Sequence, residues 1–119
     1  MYPHVNADEF ARNWISAWNS GEIEAILSHY ADDVEFTSPF VVRLLNQPDG
    51  TLHGLADLRS YFLKGLEAYP DLRFELIEVL EGVNSITLYY HSVKNLMSAE
   101  VMILNQKGKI IKVLAHYSA

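Results

Sequence analysis

The chain has 119 residues, half of them apolar and 20% charged, with no cysteine. That is the length of one domain, residues 1–119, with a core of its own, and it excludes disorder, disulfide staples and thiol chemistry. The net charge of −6 and the scatter of the nine basic residues argue against nucleic acid as a partner, and no apolar run approaches the ~18 residues that span a bilayer.

The opening Met1-Tyr2-Pro3-His4 has neither a basic region nor an apolar stretch, so no signal peptide is expected and a cytoplasmic location is. Asn6 followed by Glu9 reads as a capping box, with a helix after it. Phe10, Trp14 and Trp18 recur every four residues and form one apolar stripe. Asn19-Ser20-Gly21 ends that helix, and a short second one follows with Ile23, Ile26, Leu27 and Tyr30 inward. Ala31-Asp32-Asp33 turns the chain into a strand from Val34 to Ser38. Turn chemistry, with carboxylates bonding nearby backbone N–H groups, accounts for the two aspartates. Pro39 to His53 contains Pro48-Asp49-Gly50 and reads as a long excursion. A third helix starts near Gly54, buries Leu58, Phe62, Leu66 and Tyr69, and stops at Pro70.

From Leu72 the pattern changes to strands: Leu72–Glu81, Ile86–Lys94, Ser98–Asn105 and Lys109–Tyr117. The turns between them are too short for parallel crossovers, so an antiparallel meander is expected. Helices first and strands afterwards is an α+β order: three helices packed on one strongly curved antiparallel sheet.

Strand side chains alternate faces. If Lys94-Asn95 is a two-residue turn, Thr87, Tyr89, His91 and Val93 share a face with Ser98, Glu100, Met102 and Leu104. The other face carries Ile86, Leu88, Tyr90 and Ser92 with Ala99, Val101 and Ile103, and is mostly apolar. Three helices cover only one face, so a second copy is expected on the apolar one, as a homodimer. Polar groups on the helix-facing side are costly in a core unless paired, solvated or useful. A pocket supplies all three.

Several segments carry a resemblance. Trp14-Ile15-Ser16-Ala17-Trp18-Asn19-Ser20-Gly21-Glu22, then Tyr30-Ala31-Asp32-Asp33-Val34, then a strand ending in Ser38-Pro39, resemble the opening of SnoaL-like proteins and ketosteroid isomerases. Gly54…Leu58-Arg59-Ser60-Tyr61-Phe62 resembles the family's third helix, and Leu104-Asn105…Gly108-Lys109-Ile110-Ile111 its final hairpin. The resemblance to this branch of the nuclear transport factor 2-like superfamily covers nearly the whole chain. It implies a cone-shaped roll, and it leaves function open, because the fold hosts isomerases, dehydratases, cyclases, hydrolases and binders. Carried over by position, the isomerase base falls on Ser38, the oxyanion-binding Tyr on Trp14 and the second oxyanion donor on Glu100. Ser38 has no useful basicity near neutral pH, so steroid isomerisation by that route is not expected. The acid–base positions of SnoaL-type cyclases on the last strand fall on Val113, Ala115 and Tyr117.

The expected pocket is enclosed by Trp14, Trp18, Tyr30, Phe36, Tyr61, Phe62 and Met102, with Val113 and Tyr117 from the last strand and Ser38 and Tyr89 as polar groups. It suits a compact, uncharged or singly polar molecule. An ordinary core stripe also accounts for Trp14 and Trp18. Glu100 is the candidate acid, with Tyr89 and His91 beside it on the same face and His91 the candidate base, because its reference pKa is near neutrality. Either desolvation keeps Glu100 protonated and able to donate to a substrate carbonyl, or His91 is protonated beside it and the two form a structural ion pair. The histidines His4, His29, His53, His91 and His116 show no metal-ligand spacing, and neither metal nor other cofactor is expected. His116 faces inward or outward according to whether Gly108 forms a bulge. A binding or structural module without turnover is the competing reading.

Overall fold

The computed structural model describes residues 5–118. The N-terminal tetrapeptide, on which the expectation about a leader rests and which includes His4, lies outside the described residues. Helix α1, Ala7–Ser20, begins as expected: the Asn6 side chain accepts from the Glu9 N–H at 2.9 Å. It ends where Gly21 takes a left-handed φ of 72° and returns its N–H to the Trp18 carbonyl. Its buried face carries Phe10, Trp14 and Trp18 with Ala11, Ile15 and Ala17. Helix α2, Ile23–Leu27, buries Ile26 and Leu27, and strand β1 runs Tyr30–Thr37.

The expected excursion after β1 holds two elements. Helix α3, Pro39–Leu45, starts on Ser38, whose hydroxyl accepts from the Phe40 N–H at 3.2 Å, with Pro39 in the first turn. Asn46, at φ 55°, ends it. Strand β2, Thr51–His53, then pairs antiparallel with β1. Helix α4, Leu55–Ala68, buries Leu58 and Phe62. Four α-helices among the described residues replace the expected three. A serine cap followed by proline is a helix-start signal, and the chain uses it as one.

Strands β3 (Glu75–Gly82), β4 (Ser85–His91), β5 (Met97–Leu104) and β6 (Ile110–Tyr117) form the expected antiparallel meander. The full sheet has six strands in the order β2-β1-β6-β5-β4-β3, open at both ends, with β1 parallel to β6. Strand β3 starts later than the expected Leu72. The Phe74 backbone is engaged by the Asn19 side chain of α1, which accepts from its N–H at 2.7 Å and donates to its carbonyl at 3.0 Å. That pair of bonds takes Phe74 out of the ladder and ties it to the helical layer.

The face assignment differs between strands, and the reason lies in one turn. Lys94 and Asn95 do take left-handed φ values of 57° and 59°, as a tight two-residue turn demands. Leu96, however, faces two residues: its N–H bonds the Val93 carbonyl at 3.0 Å, while its carbonyl accepts from Ser92 at 2.7 Å. This one-residue bulge makes His91 pair with Met97 and Leu88 with Glu100. A one-residue slip exchanges the faces of a strand. Ile86, Leu88 and Tyr90 therefore lie inward with Ser98, Glu100, Met102 and Leu104, all buried. Tyr89 and His91 lie on the outer face with Thr87 and Val101. The alternative register would expose Leu88 and Tyr90, each large apolar side chain forfeiting about 1.5–3 kcal/mol of burial.

No helix among the described residues is long and apolar enough to cross a membrane.

Candidate functional site

Helices α1, α3 and α4 and the inner sheet face enclose a cavity of about 480 Å³. Its inner wall is aromatic. Trp14 of α1 stacks on Phe74 with centroids 5.9 Å apart and meets Tyr90 edge-on at 5.3 Å; Trp18 meets Phe62 of α4 edge-on at 4.6 Å. Phe36 and Tyr61 extend that wall, and Phe40 packs edge-on against Tyr117 at 4.6 Å. The helical period of α1 and the two-residue period of β4, β5 and β6 converge on this space.

One ionisable carboxyl group lines it. Glu100 is 4% exposed, and its Oε1 accepts from the Tyr90 hydroxyl at 2.5 Å. Its Oε2 has no hydrogen-bond partner. Burial pushes the Glu100 carboxyl up to about 7, against the opposing pull of the Tyr90 hydrogen bond. The same burial, then the charge of Glu100, raises the phenols of Tyr30, Tyr90 and Tyr117 above the ordinary tyrosine value. Burial likewise takes Tyr61 up to about 12. At neutral pH these phenols are donors, and Glu100 is the group near its titration point.

The indoles divide in the same way. Trp14 donates its Nε1–H to the Tyr30 hydroxyl at 3.0 Å, whereas the buried Nε1 of Trp18 has no hydrogen-bond partner among the described residues. Both unpartnered atoms, Trp18 Nε1 and Glu100 Oε2, are buried within the cavity wall, without a hydrogen-bond partner among the described residues.

Trp14, Trp18, Tyr30, Phe36, Tyr61, Phe62, Tyr117 and Glu100 all line the cavity. Three other expected residues lie inward without lining it. Met102 and Val113 are fully buried in the core, and Ser38 is buried with its hydroxyl capping α3. Tyr89 and His91 are corrections. Both sit across the sheet from Glu100, Tyr89 40% exposed and His91 3.1 Å from Glu75 on β3. The ion pair between His91 and Glu100 therefore does not form, and Tyr90 takes the place beside the carboxyl. His116 is exposed on the outer face, because the irregularity in the last hairpin falls between Ile103 and Leu104 and leaves Val113, Ala115 and Tyr117 inward.

Reading the strands with the bulge would have found Tyr90, and the Ser38-Pro39 helix start would have found Phe40, Arg43 and Leu44. Phe74 carries no sequence signal of its own, since Asn19, far away in sequence, places it.

The SnoaL-like domain family model matches residues 11–102. A SnoaL-like protein of unknown function from Burkholderia thailandensis E264 is 40% identical over 95% of this chain and 94% of its own, with a TM-score of 0.93. An NTF2-like protein of unknown function from Cytophaga hutchinsonii ATCC 33406 shares the fold at 16% identity and a TM-score of 0.73, over 99% of this chain and 95% of its own. A provisionally named isomerase of the SnoaL-like family from Agrobacterium tumefaciens str. C58 does so at 15% identity and a TM-score of 0.74, over 95% and 97%. No curated protein matches the chain.

Proposed function

The chain belongs to the SnoaL-like family, and we propose that it binds a compact, largely apolar small molecule in the aromatic cavity and exchanges a proton with it through Glu100. The observation that carries this reading is a single buried carboxyl in the wall of a cavity that has room for a ligand, with one oxygen held by Tyr90 and the other without a hydrogen-bond partner among the described residues. A general acid works best when its pKa lies near the operating pH, and Glu100 is pushed up to about 7. Protonated Glu100 hands its proton to a substrate carbonyl oxygen, and the carboxylate so formed takes up the proton that leaves the adjacent carbon, so the keto–enol exchange balances on one carboxyl. The Tyr90 hydroxyl stays on the other oxygen and stabilises the carboxylate left behind. Isomerase, cyclase and dehydratase chemistry all use such a step. Ser38 supplies no base, so steroid isomerisation by a carboxylate base on that strand is not part of the proposal.

Titration of the Glu100 side chain by carbon-detected NMR tests it. The midpoint should lie near 7, and Tyr90→Phe should move it higher by removing the one hydrogen bond that favours the ionised form. A midpoint below the free value of about 4.3 would rule the acid out.

A second reading has its own support. The ionisable side chains brought close to Glu100 are phenols with raised pKa values, which are poor bases. A site with an acid and no strong base also fits a protein that holds a metabolite without turning it over. Ligands that bind equally to the wild type and to Glu100→Gln, and are recovered unchanged, would favour that reading.

The outer sheet face supports a homodimer. Val101, Ile103 and Ala99 of β5 are only half covered there, and Tyr89 and Leu114 are 40% and 37% exposed. An exposed apolar patch on a sheet face with no helix over it is a usual place for a second copy.

A further inference from the structure

The cavity lining is not uniform in charge. Its exposed residues include Arg43 of α3, Lys64 of α4 and Lys94 of the β4–β5 turn, and among the described residues its only carboxylate is the buried Glu100. The chain as a whole has fifteen acidic against nine basic residues, so the mouth carries the opposite sign to the molecule. None of the three cations has a carboxylate within ion-pair distance among the described residues; the ion pairs there involve Arg12, Arg59 and His91. Arg43 is held in place by Phe40, its guanidinium 5.5 Å from the ring centroid. Three separate elements thus contribute unpaired cations to the exposed lining of one aromatic-walled cavity.

The inner end makes a different demand. Its walls are aromatic, and the one carboxyl there, Glu100, is buried. A second carboxylate is unsuited to that end, where it would share a dry space with Glu100. A neutral, apolar group fits it.

We propose that the ligand of this cavity is an amphipathic acid, with an apolar ring or chain against the aromatic wall and one carboxylate at the exposed rim held by Arg43, Lys64 and Lys94. It rests on the reading that the cavity takes a small molecule, and it adds the class and the orientation. Cations at the rim of a low-dielectric cleft focus their field into it and draw anions in. The anionic group stays at the wet end, where its desolvation is least, and the apolar end enters first.

The test uses a series of 2-naphthyl-substituted alkanoic acids of increasing chain length and the matching primary amides, titrated into the intact protein by calorimetry. The acid should bind more tightly than its amide. Arg43→Gln, Lys64→Gln and Lys94→Asn should each weaken the acid by roughly two- to five-fold and leave the amide unchanged. Asn is chosen at position 94 because the backbone there is left-handed. All three positions are exposed, so the variants should fold. In the wild type, about 1 M salt, where the screening length falls to about 3 Å, should reduce the difference between acid and amide. Equal binding of acid and amide, unaffected by salt and by the rim variants, overturns the inference and leaves the cavity reading standing. Binding of neither compound at any chain length overturns both.

Discussion

Glu100 is the residue on which stability and function oppose each other. A carboxyl whose folded pKa is raised from 4.5 to about 7 binds its proton more tightly in the native state than in the unfolded one. Between those two pH values the native state holds more protons, so stability falls as pH rises through the window. Below about pH 4.5 the cost is absent; above about pH 7 it is present in full, at roughly 3 kcal/mol. Glu100→Gln has no such cost. Urea unfolding of the two proteins from pH 4.5 to 8 should show their midpoints diverging in favour of the variant as pH rises. Parallel curves would mean that Glu100 titrates alike in the folded and unfolded chain. A group kept at that expense, with one oxygen unpartnered, is difficult to explain as packing.

At the scale of elements, the α3–β2 segment shows how local chemistry shapes the cavity mouth. Gly50 closes the loop at φ 66°, and its N–H and carbonyl bond Gln47 and Ser38. A Cβ there would lie 2.9 Å from Val42 Cγ2 and 3.2 Å from the Ser38 carbonyl. Gly21 has a similar φ of 72° with nothing within 4 Å of a Cβ. Gly21→Ala should therefore cost only the left-handed conformation, about 1–2 kcal/mol, and Gly50→Ala distinctly more, because backbone or the Val42 side chain must also move. Thermal unfolding of the pair measures the difference. Equal losses would show that α3 yields easily, and that the rim cation Arg43, two residues from the Val41 anchor, is less firmly held than its contacts imply. The bulge at Ser92, Val93 and Leu96 is the other decisive element. It turns Tyr90 inward and His91 outward, and so replaces an imidazole beside Glu100 with a phenol.

For the whole molecule, the outer sheet face predicts the assembly. The protein should be a homodimer in solution, its sheets packed face to face and burying at least about 1,200 Å² in total, the lower end for stable interfaces. Val101 lies on the central strand β5, half covered on that face, and Val101→Glu should dissociate the dimer by placing two carboxylates close to the symmetry axis. Light scattering at micromolar concentration reads the mass directly; a monomer for the wild type would leave this face without the partner proposed for it. The cavity opens on the helical side of the sheet, so the monomeric variant should keep its affinity for naphthyl acids.

What was legible in the sequence follows the range of the forces involved. The Asn6 cap, the Phe10-Trp14-Trp18 stripe, the Gly21 stop and the four strands of the meander are written in spacings of a few residues, and those interactions close within a few residues. The aromatic wall was legible for the same reason: Trp14, Trp18, Tyr30 and Phe62 sit on periodic faces that a core must bury. Glu100 could be placed on the inner face because the resemblance supplied a register for β5. Its neighbour could not. Whether Tyr90 or His91 stands beside it depends on one extra residue in a turn whose left-handed pair, Lys94-Asn95, fits either register. The burial of Leu88 and Tyr90 against residues of other elements decides between them. Phe74 is positioned by Asn19, 55 residues away, and the rim cations come from three elements with no common pattern. The sequence by itself determined which segments are helix and strand and which side chains seek the interior. Only the tertiary structure decided which of them meet around the carboxyl, because that outcome is selected by burial summed over the whole sheet face rather than by any local preference.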